Sequence, residues 1–137
     1  MIRTSSLQTT HDSSLNNDAR ALVKHVVAGM QDKKAQAITL LELATLENAP
    51  TDAYVIAHAA SHRQVEAIAQ SVEETVRHES GEKPWHREGF ENKEWILLDY
   101  VNVVVHIMLE EKRLYYSLEE LWNDARRIDF TLPLSSI

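Results

Sequence analysis

The chain has 137 residues, of which 44% are hydrophobic and 26% are charged, as is typical of one globular domain. It contains no cysteine, which excludes disulfides and thiolate zinc sites, and no apolar stretch approaches the ~18 residues of a membrane span. The net charge is −7, and because residues 66–137 hold fifteen anions but only eight cations, the sequence argues against nucleic acid as the main partner and favours a basic protein.

The chain is predicted to divide into three parts. Residues 1–17 are rich in serine and threonine and are predicted to form a flexible N-terminal extension. With Arg3 as its one Lys or Arg, this stretch lacks the repeated arginines of an organelle transit peptide. Residues 18–127 are predicted to form the folded domain, and residues 128–137 an irregular C-terminal tail.

The first half of the domain predicts a helix, two strands and a second helix. Apolar residues recur at helical spacing over residues 18–31, and short apolar runs at 38–43 and 53–58 predict strands. The second run is almost wholly apolar, which indicates burial on both faces. Ser61 is expected to cap a helix that ends near Glu79, before Ser80-Gly81.

The second half predicts a hairpin followed by two helices. Residues 83–89 read as an edge strand or a loop anchored by Trp85. Strands at 95–100 and 103–109 are separated by two residues and should form a tight hairpin. A helix follows at 110–116, and a capping box in which Ser117 pairs with Glu120 predicts a last helix that ends near Arg127.

The element order α-β-β-α-β-β-β-α-α predicts an α/β fold in which helices flank a single-layer mixed β-sheet. Hairpins give antiparallel strand pairs, and the long helix gives a crossover to a parallel neighbour.

No motif for metal or phosphate chemistry is complete. His58 and His62 have i, i+4 spacing, but they lie at a strand end and a helix start instead of on one helical face. The three glycines are scattered, so no phosphate-binding loop exists, and Asp99 has no second strand carboxylate with which to hold Mg²⁺. We expect no metal and no cofactor.

A hydrolase triad is equally incomplete. Ser61, Asp99 and His106 are the right residue types, but Ser61 lacks the glycines of a nucleophile elbow and is better explained as a helix cap. His106 is expected to be a polar position of an alternating strand, or a partner of Tyr100 or Asp99.

Large apolar side chains remain for a protein-binding surface. Strand alternation places Trp95, Leu97 and Asp99 on one face and Ile96, Leu98 and Tyr100 on the other. More aromatic residues follow the acidic pair Glu110-Glu111, and together they suggest a protein-binding patch, with burial in the core as the alternative. They are Tyr115, Tyr116 and Trp122, beside Leu118.

Four segments of the sequence are distinctive: DKKA at 32–35, TDAYVIA at 51–57, SHRQVEAIA at 61–69 and, above all, EWILLDYVNVVVHIMLEEKRLYYSLEELWNDA at 94–125. Together they resemble the Iojap/RsfS family of ribosomal silencing factors. The resemblance covers residues 22–126. The departures are Ala59-Ala60 for the family's Gly-Thr, and Val101-Asn102 for its hairpin Gly-Asp, where Asn102 is expected to take a positive φ.

This resemblance implies a fold similar to nucleotidyltransferases, without their catalytic carboxylates. It also implies a bacterial cytoplasmic protein that binds the large ribosomal subunit through ribosomal protein L-fourteen. Binding there would block the small subunit and lower translation during starvation, without catalysis. Free members of the family tend to form homodimers.

The resemblance places the contact on the Trp95 strand and on the segment after the hairpin. Trp95 is the expected anchor, because tryptophan is over-represented among interface hot spots. The expected supporting residues are Leu97, Leu98, Asp99, Tyr100, Glu110, Glu111, Tyr115 and Tyr116. The alternatives are a large-subunit assembly factor and a nucleotidyltransferase-like enzyme.

Overall fold

A computed structural model describes residues 13–130, which form six strands and four helices. In chain order the elements are α1 Asn17–Asp32, β1 Gln36–Glu42, β2 Ala53–Ala59, α2 His62–Ser80, β3 His86–Glu88, β4 Trp95–Asp99, β5 Val103–Leu109, α3 Glu110–Tyr116, α4 Leu118–Leu121 and β6 Arg126–Phe130. None of the described helices is long and apolar enough to cross a membrane.

The six strands form one mixed sheet in the order β3-β4-β5-β2-β1-β6. The central pair β2–β5 is parallel, and every other pair is antiparallel. Helix α2 leaves the end of β2 and returns the chain toward β4 and β5, as a crossover must. The predicted α/β fold with a single mixed sheet is confirmed.

Helices α1 and α2 cover one face of the sheet and pack closely on each other. A Cβ atom built on Gly29 would lie 2.8 Å from the Cα atom of Val72, so only glycine permits this approach. The Ser71 hydroxyl donates to the carbonyl of Gly29 at 2.8 Å. Ser61 caps α2 as predicted, since its hydroxyl accepts from the backbone N–H of Gln64 at 3.1 Å.

The opposite face of the sheet, here called the open face, is covered only in part. It has a small buried cluster consisting of Leu41, Leu43, Ile56 and Met108. The segment 118–125 packs on this cluster from outside through Leu118, Trp122 and Ala125.

The C-terminal part of the domain differs from the prediction. Instead of a helix to Arg127 and an irregular tail, residues 126–130 form β6, which pairs with β1 from Glu42↔Arg126 to Ile38↔Phe130. Ile128 and Phe130 pack against the main core, and the polar residues Arg127 and Asp129 alternate with them. This alternation of apolar and polar residues is the pattern of a β-strand.

The folded part is longer than the predicted 18–127. Leu15 is buried in the main core, and Ser13 and Ser14 both hydrogen-bond the carboxylate of Glu42. At the other end, Phe130 also packs on the core. The rest of the predicted extension and tail, residues 1–12 and 131–137, lies outside the described residues.

Two further local predictions are wrong. Ser117 makes no side-chain capping bond, because it adopts a left-handed conformation with φ of 48° that ends α3. Helix α4 is therefore a single turn. Trp85 is not an anchor, since its side chain is 81% exposed beside the edge strand β3.

The hairpin between β4 and β5 is confirmed, but its strained residue is Val101 instead of Asn102. Val101 has a φ of 78°, and the N–H of Asn102 donates to the carbonyl of Tyr100 at 3.0 Å. A hydrogen bond that spans one residue with positive φ is a γ-turn, which disfavours a β-branched side chain at its centre. The Asp99 carboxylate supports the turn by accepting from the N–H of Val101 at 2.8 Å.

Substituting Val101→Gly is expected to stabilise the protein by about 1 kcal/mol. Relief of a strained non-glycine residue gives about 1–3 kcal/mol, and the extra freedom of glycine in the unfolded chain offsets part of this gain. Urea unfolding of both proteins measures the difference. Asn102→Gly is the matched control in the same turn and should be neutral or destabilising; a Val101→Gly variant that is less stable than the parent would contradict the assignment.

Candidate functional site

Aromatic side chains from three neighbouring strands and from the α3–α4 segment meet on the open face. We call this group the aromatic cluster; its members are Tyr54, Trp95, His106, Tyr115, Tyr116 and Trp122. The ring centroids of Trp95 and Tyr116 lie 4.9 Å apart, and those of Tyr115 and Tyr116 lie 5.0 Å apart. The ring centroid of Tyr54 lies 4.4 Å from that of His106 and 6.5 Å from that of Trp122. The Trp95 and His106 rings, whose centroids lie 5.9 Å apart, join these pairs into one continuous cluster of contacting rings.

A hydrogen bond below the surface fixes the orientation of Trp95. Its indole Nε1–H donates to Nδ1 of His106 at 3.0 Å. His106 is only 3% exposed, and burial lowers its pKa to about 4, so the ring is neutral and Nδ1 can accept. The sequence had suggested Tyr100 or Asp99 as the partner of His106, which is wrong.

The neutral His106 predicts a loss of stability in mild acid. The unfolded chain binds a proton near pH 6.5 and the folded chain only near pH 4, so the free energy of unfolding falls as the pH drops between these values. A shift of this size corresponds to roughly 3 kcal/mol. Denaturant unfolding from pH 7.5 to 4 measures it.

The control variant is His106→Gln, which removes the titration and can still accept from Trp95. Its stability relative to the parent should improve steadily as the pH is lowered from 6.5. If parent and variant curves stay parallel over this range, His106 is not the group responsible.

The predicted contact residues separate into exposed and buried groups. Tyr115 and Tyr116 are 80% and 49% exposed, and Glu110 and Glu111 are exposed at the start of α3. Trp95, Leu97 and Asp99 are half-buried on the open face. Leu98 and Tyr100, by contrast, are 0% and 4% exposed beneath the helices, so their side chains do not belong to this surface.

A buried arginine, which sequence reasoning missed, joins the α3–α4 segment to the sheet. Arg113 donates to the carbonyl of Ala37 at 2.6 Å, to Nδ1 of His58 at 3.1 Å and to the hydroxyl of Thr39 at 3.0 Å. It also binds one carboxylate oxygen of Glu119 through Nε and Nη2, at 2.9 and 2.6 Å. One side chain therefore fixes α3 and α4 against β1 and β2.

Electrostatics support this arrangement. Burial alone would raise the pKa of Glu119, but the hydrogen bonds and positive charge of Arg113 lower it below its usual value. Burial and the same guanidinium lower the pKa of His58, which therefore accepts from Arg113 as a neutral ring. The spacing of these residues in the sequence does not predict the contacts of Arg113, because Arg113 has the pattern of an ordinary polar residue in a short helix.

The residues considered for catalysis are used elsewhere. Ser61 lies beyond the end of β2 and caps α2, whereas His106 lies in mid-strand opposite Ile56. Nε2 of His62 approaches a carboxylate oxygen of Glu94 at 3.8 Å. Between residues 13 and 130, no group of three His, Asp or Glu side chains could hold a metal ion.

Comparison with known proteins identifies the family. The family model described as "Ribosomal silencing factor during starvation" matches residues 16–136. The chain belongs to this family of ribosomal silencing factors. It is 34% identical over 116 residues to the ribosomal silencing factor RsfS of Bacillus subtilis, covering 85% of this chain and 97% of that protein.

Two further proteins are similar to this silencing factor. A crystal structure of a Chromobacterium violaceum protein has a TM-score of 0.71 at 33% identity, over 76% of this chain and 85% of that one. The mouse protein named "Mitochondrial assembly of ribosomal large subunit protein 1" is 32% identical over 74 residues, which are 53% of this chain and 32% of that protein. The family resemblance seen in the sequence is confirmed.

Proposed function

We propose that this silencing factor binds the large ribosomal subunit through ribosomal protein L-fourteen and sterically prevents the small subunit from joining. Translation then falls during starvation, and no bond is made or broken. Besides membership of the family, the observation that supports the proposal is the aromatic cluster. It lies on the incompletely covered face of the sheet, and its member Tyr115 is 80% exposed.

The chemistry of the open face fits a basic protein partner. Tyrosine and tryptophan are enriched at interface centres, where they bury large areas with little loss of side-chain entropy. Asp99 borders Trp95 and Leu97 on β4, and Glu110 and Glu111 begin α3. Ribosomal proteins are rich in lysine and arginine, which these acids would attract and pair with. The proposed contact set is Trp95, Leu97, Asp99, Glu110, Glu111, Tyr115 and Tyr116.

The proposal includes a cellular setting. We place the protein in the bacterial cytoplasm, where it would meet free large subunits. We also propose that the free protein is a homodimer, which analytical ultracentrifugation without ribosomes tests directly.

A subunit-joining assay tests the proposed function. Purified large and small subunits are mixed with and without the protein, and sedimentation reads both the joined fraction and the position of the protein. We expect the protein to sediment with the large subunit and the joined fraction to fall. Absence of the protein from the large-subunit peak would contradict the proposal.

A second candidate function is assembly of the large subunit, which the name of the mouse relative favours. An assembly factor would bind immature large subunits in preference to mature ones and would leave the joining of mature subunits unchanged. Binding measured against both preparations separates the two functions.

A further inference from the structure

In the second half of this acidic chain, residues 66–137, most lysine and arginine side chains form ion pairs. Among the described residues, six of its eight lysines and arginines have a carboxylate partner within 4.0 Å. The pairs are Arg87–Glu73, Lys93–Glu66, Lys112–Glu94, Arg113–Glu119, Arg126–Glu42 and Arg127–Asp129. Arg77 and Lys83 have no ion pair within the described part of the chain.

Arg77 and Lys83 line the same cleft. It lies between the C-terminal half of α2 and the segment that leads into β3, and its volume is about 300 Å³. We call it the basic cleft; its walls are Glu73, Arg77, Lys83, Pro84 and Arg87. The two unpaired cations of the second half thus face one space, which has room for a phosphate group.

The one acid in the cleft wall is already neutralised. Arg87 binds Glu73 through Nε and Nη2 at 2.8 and 3.1 Å, and its guanidinium carbon lies 4.0 Å above the ring of Phe90. These contacts fix Arg87, and no described residue hydrogen-bonds its Nη1. The residues that line the cleft are three cations and one acid, so its wall has a positive balance.

Two more features of the same region indicate a ligand. Trp85 directly follows Pro84 and is 81% exposed, the highest value among the large hydrophobic residues of the described chain. The hydroxyl of Tyr100 is buried without a hydrogen-bond partner among the described residues. Tyr100 directly follows Asp99, whose carbonyl accepts from the N–H of Trp85 at 2.7 Å, so it lies beside the segment that forms one wall of the cleft.

We propose that the basic cleft and Trp85 form a binding site for single-stranded RNA, in which Arg77, Lys83 and Arg87 contact phosphates and a base stacks on the Trp85 indole. Single-stranded RNA alternates phosphates with flat bases, and proteins bind it by pairing cations with exposed aromatic rings. A peptide of aspartate and glutamate alone would use the same cations but has no ring to occupy the Trp85 face.

This site lies apart from the aromatic cluster. Arg87 reaches α2, which covers the sheet face opposite the open face, so the two surfaces can be occupied together. The RNA site goes beyond the proposed function and can be tested without ribosomes.

The test is fluorescence anisotropy of a 5′-labelled twelve-nucleotide oligo(A) RNA with the full chain at low salt. The Arg77→Ala/Lys83→Ala double variant should bind at least about tenfold more weakly, and Trp85→Ala about tenfold, whereas Trp85→Phe should retain most of the affinity. Arg63→Ala is the matched control, because it removes another exposed arginine from α2 outside the cleft. The slope of log affinity against log salt should be about −1.4 to −2.1 for two or three phosphates.

Three results would overturn the inference. One is no binding of the RNA by the parent chain at low salt. Another is equal binding by the parent and the Arg77→Ala/Lys83→Ala variant. The third is displacement of the RNA by oligo-glutamate of equal charge at the same concentration, with no effect of Trp85→Ala, which would assign the cleft to acidic peptides. None of these results depends on binding to the large subunit, so the RNA site and the proposed function fail or succeed separately.

Discussion

Replacing Arg113 with methionine is expected to destabilise the protein by about 3–5 kcal/mol, the usual cost of removing one partner of a buried ion pair. The substitution leaves the carboxylate of Glu119 and the carbonyl of Ala37 without their buried donor. It also detaches the α3–α4 segment, so a lower melting temperature should accompany altered fluorescence of Trp95 and Trp122. Thermal unfolding and emission spectra measure the two effects.

The control for this prediction is Arg127→Met, which removes an exposed arginine that pairs with Asp129 and should cost less than about 1 kcal/mol. Arg113→Lys should fall between the two, because a lysine keeps the charge but cannot reproduce the forked contact with Glu119. Equal stabilities of the Arg113→Met and Arg127→Met variants would contradict the role assigned to Arg113.

The double substitution Tyr115→Ala/Tyr116→Ala should weaken binding to the large subunit by about 30- to 1000-fold, equivalent to 2–4 kcal/mol for the loss of interface anchors. Because the Tyr115 side chain is 80% exposed and that of Tyr116 is 49% exposed, the variant should still fold. Co-sedimentation with large subunits at increasing protein concentration gives the affinity, and circular dichroism confirms folding.

Leu121→Ala provides the control on the adjoining helix α4. Leu121 is 70% exposed and lies outside the proposed contact set. Its replacement should change the affinity by less than about threefold, as most truncations outside hot spots do. Wild-type affinity of the double tyrosine variant would exclude the aromatic cluster as the contact surface.

Much of the fold could be predicted because its central elements have strong local patterns. The strands at 95–99 and 103–109 are almost entirely apolar and are separated by a three-residue turn, and α2 has both a serine cap and a glycine stop. Alternation along β4 correctly placed Trp95 and Leu97 on one face and Leu98 on the other. The half-buried part of the candidate surface, on β4, followed from that alternation.

The parts that could not be predicted depend on contacts between distant residues. Strand β6 looks polar by itself and becomes a strand only because β1 offers a free edge. Arg113 is buried because partners separated from it by 55 to 76 residues converge on it. Ser117 matched a capping box in sequence, but α3 ends there in a left-handed conformation and the Ser117 hydroxyl makes no capping hydrogen bond to α4.

The pairing of β1 with β6 also determines when the protein can finish folding as it is synthesised. Thr39 and Asp129, which hydrogen-bond across this pair, are 90 residues apart, so β1 leaves the exit tunnel long before its outer neighbour is translated. Until then β1 presents an unpaired edge, which is the feature through which nascent chains associate wrongly. Ribosome-bound nascent chains that carry a C-terminal linker long enough to bring Phe130 out of the tunnel should therefore resist protease better than chains with the same linker that stop before Arg126.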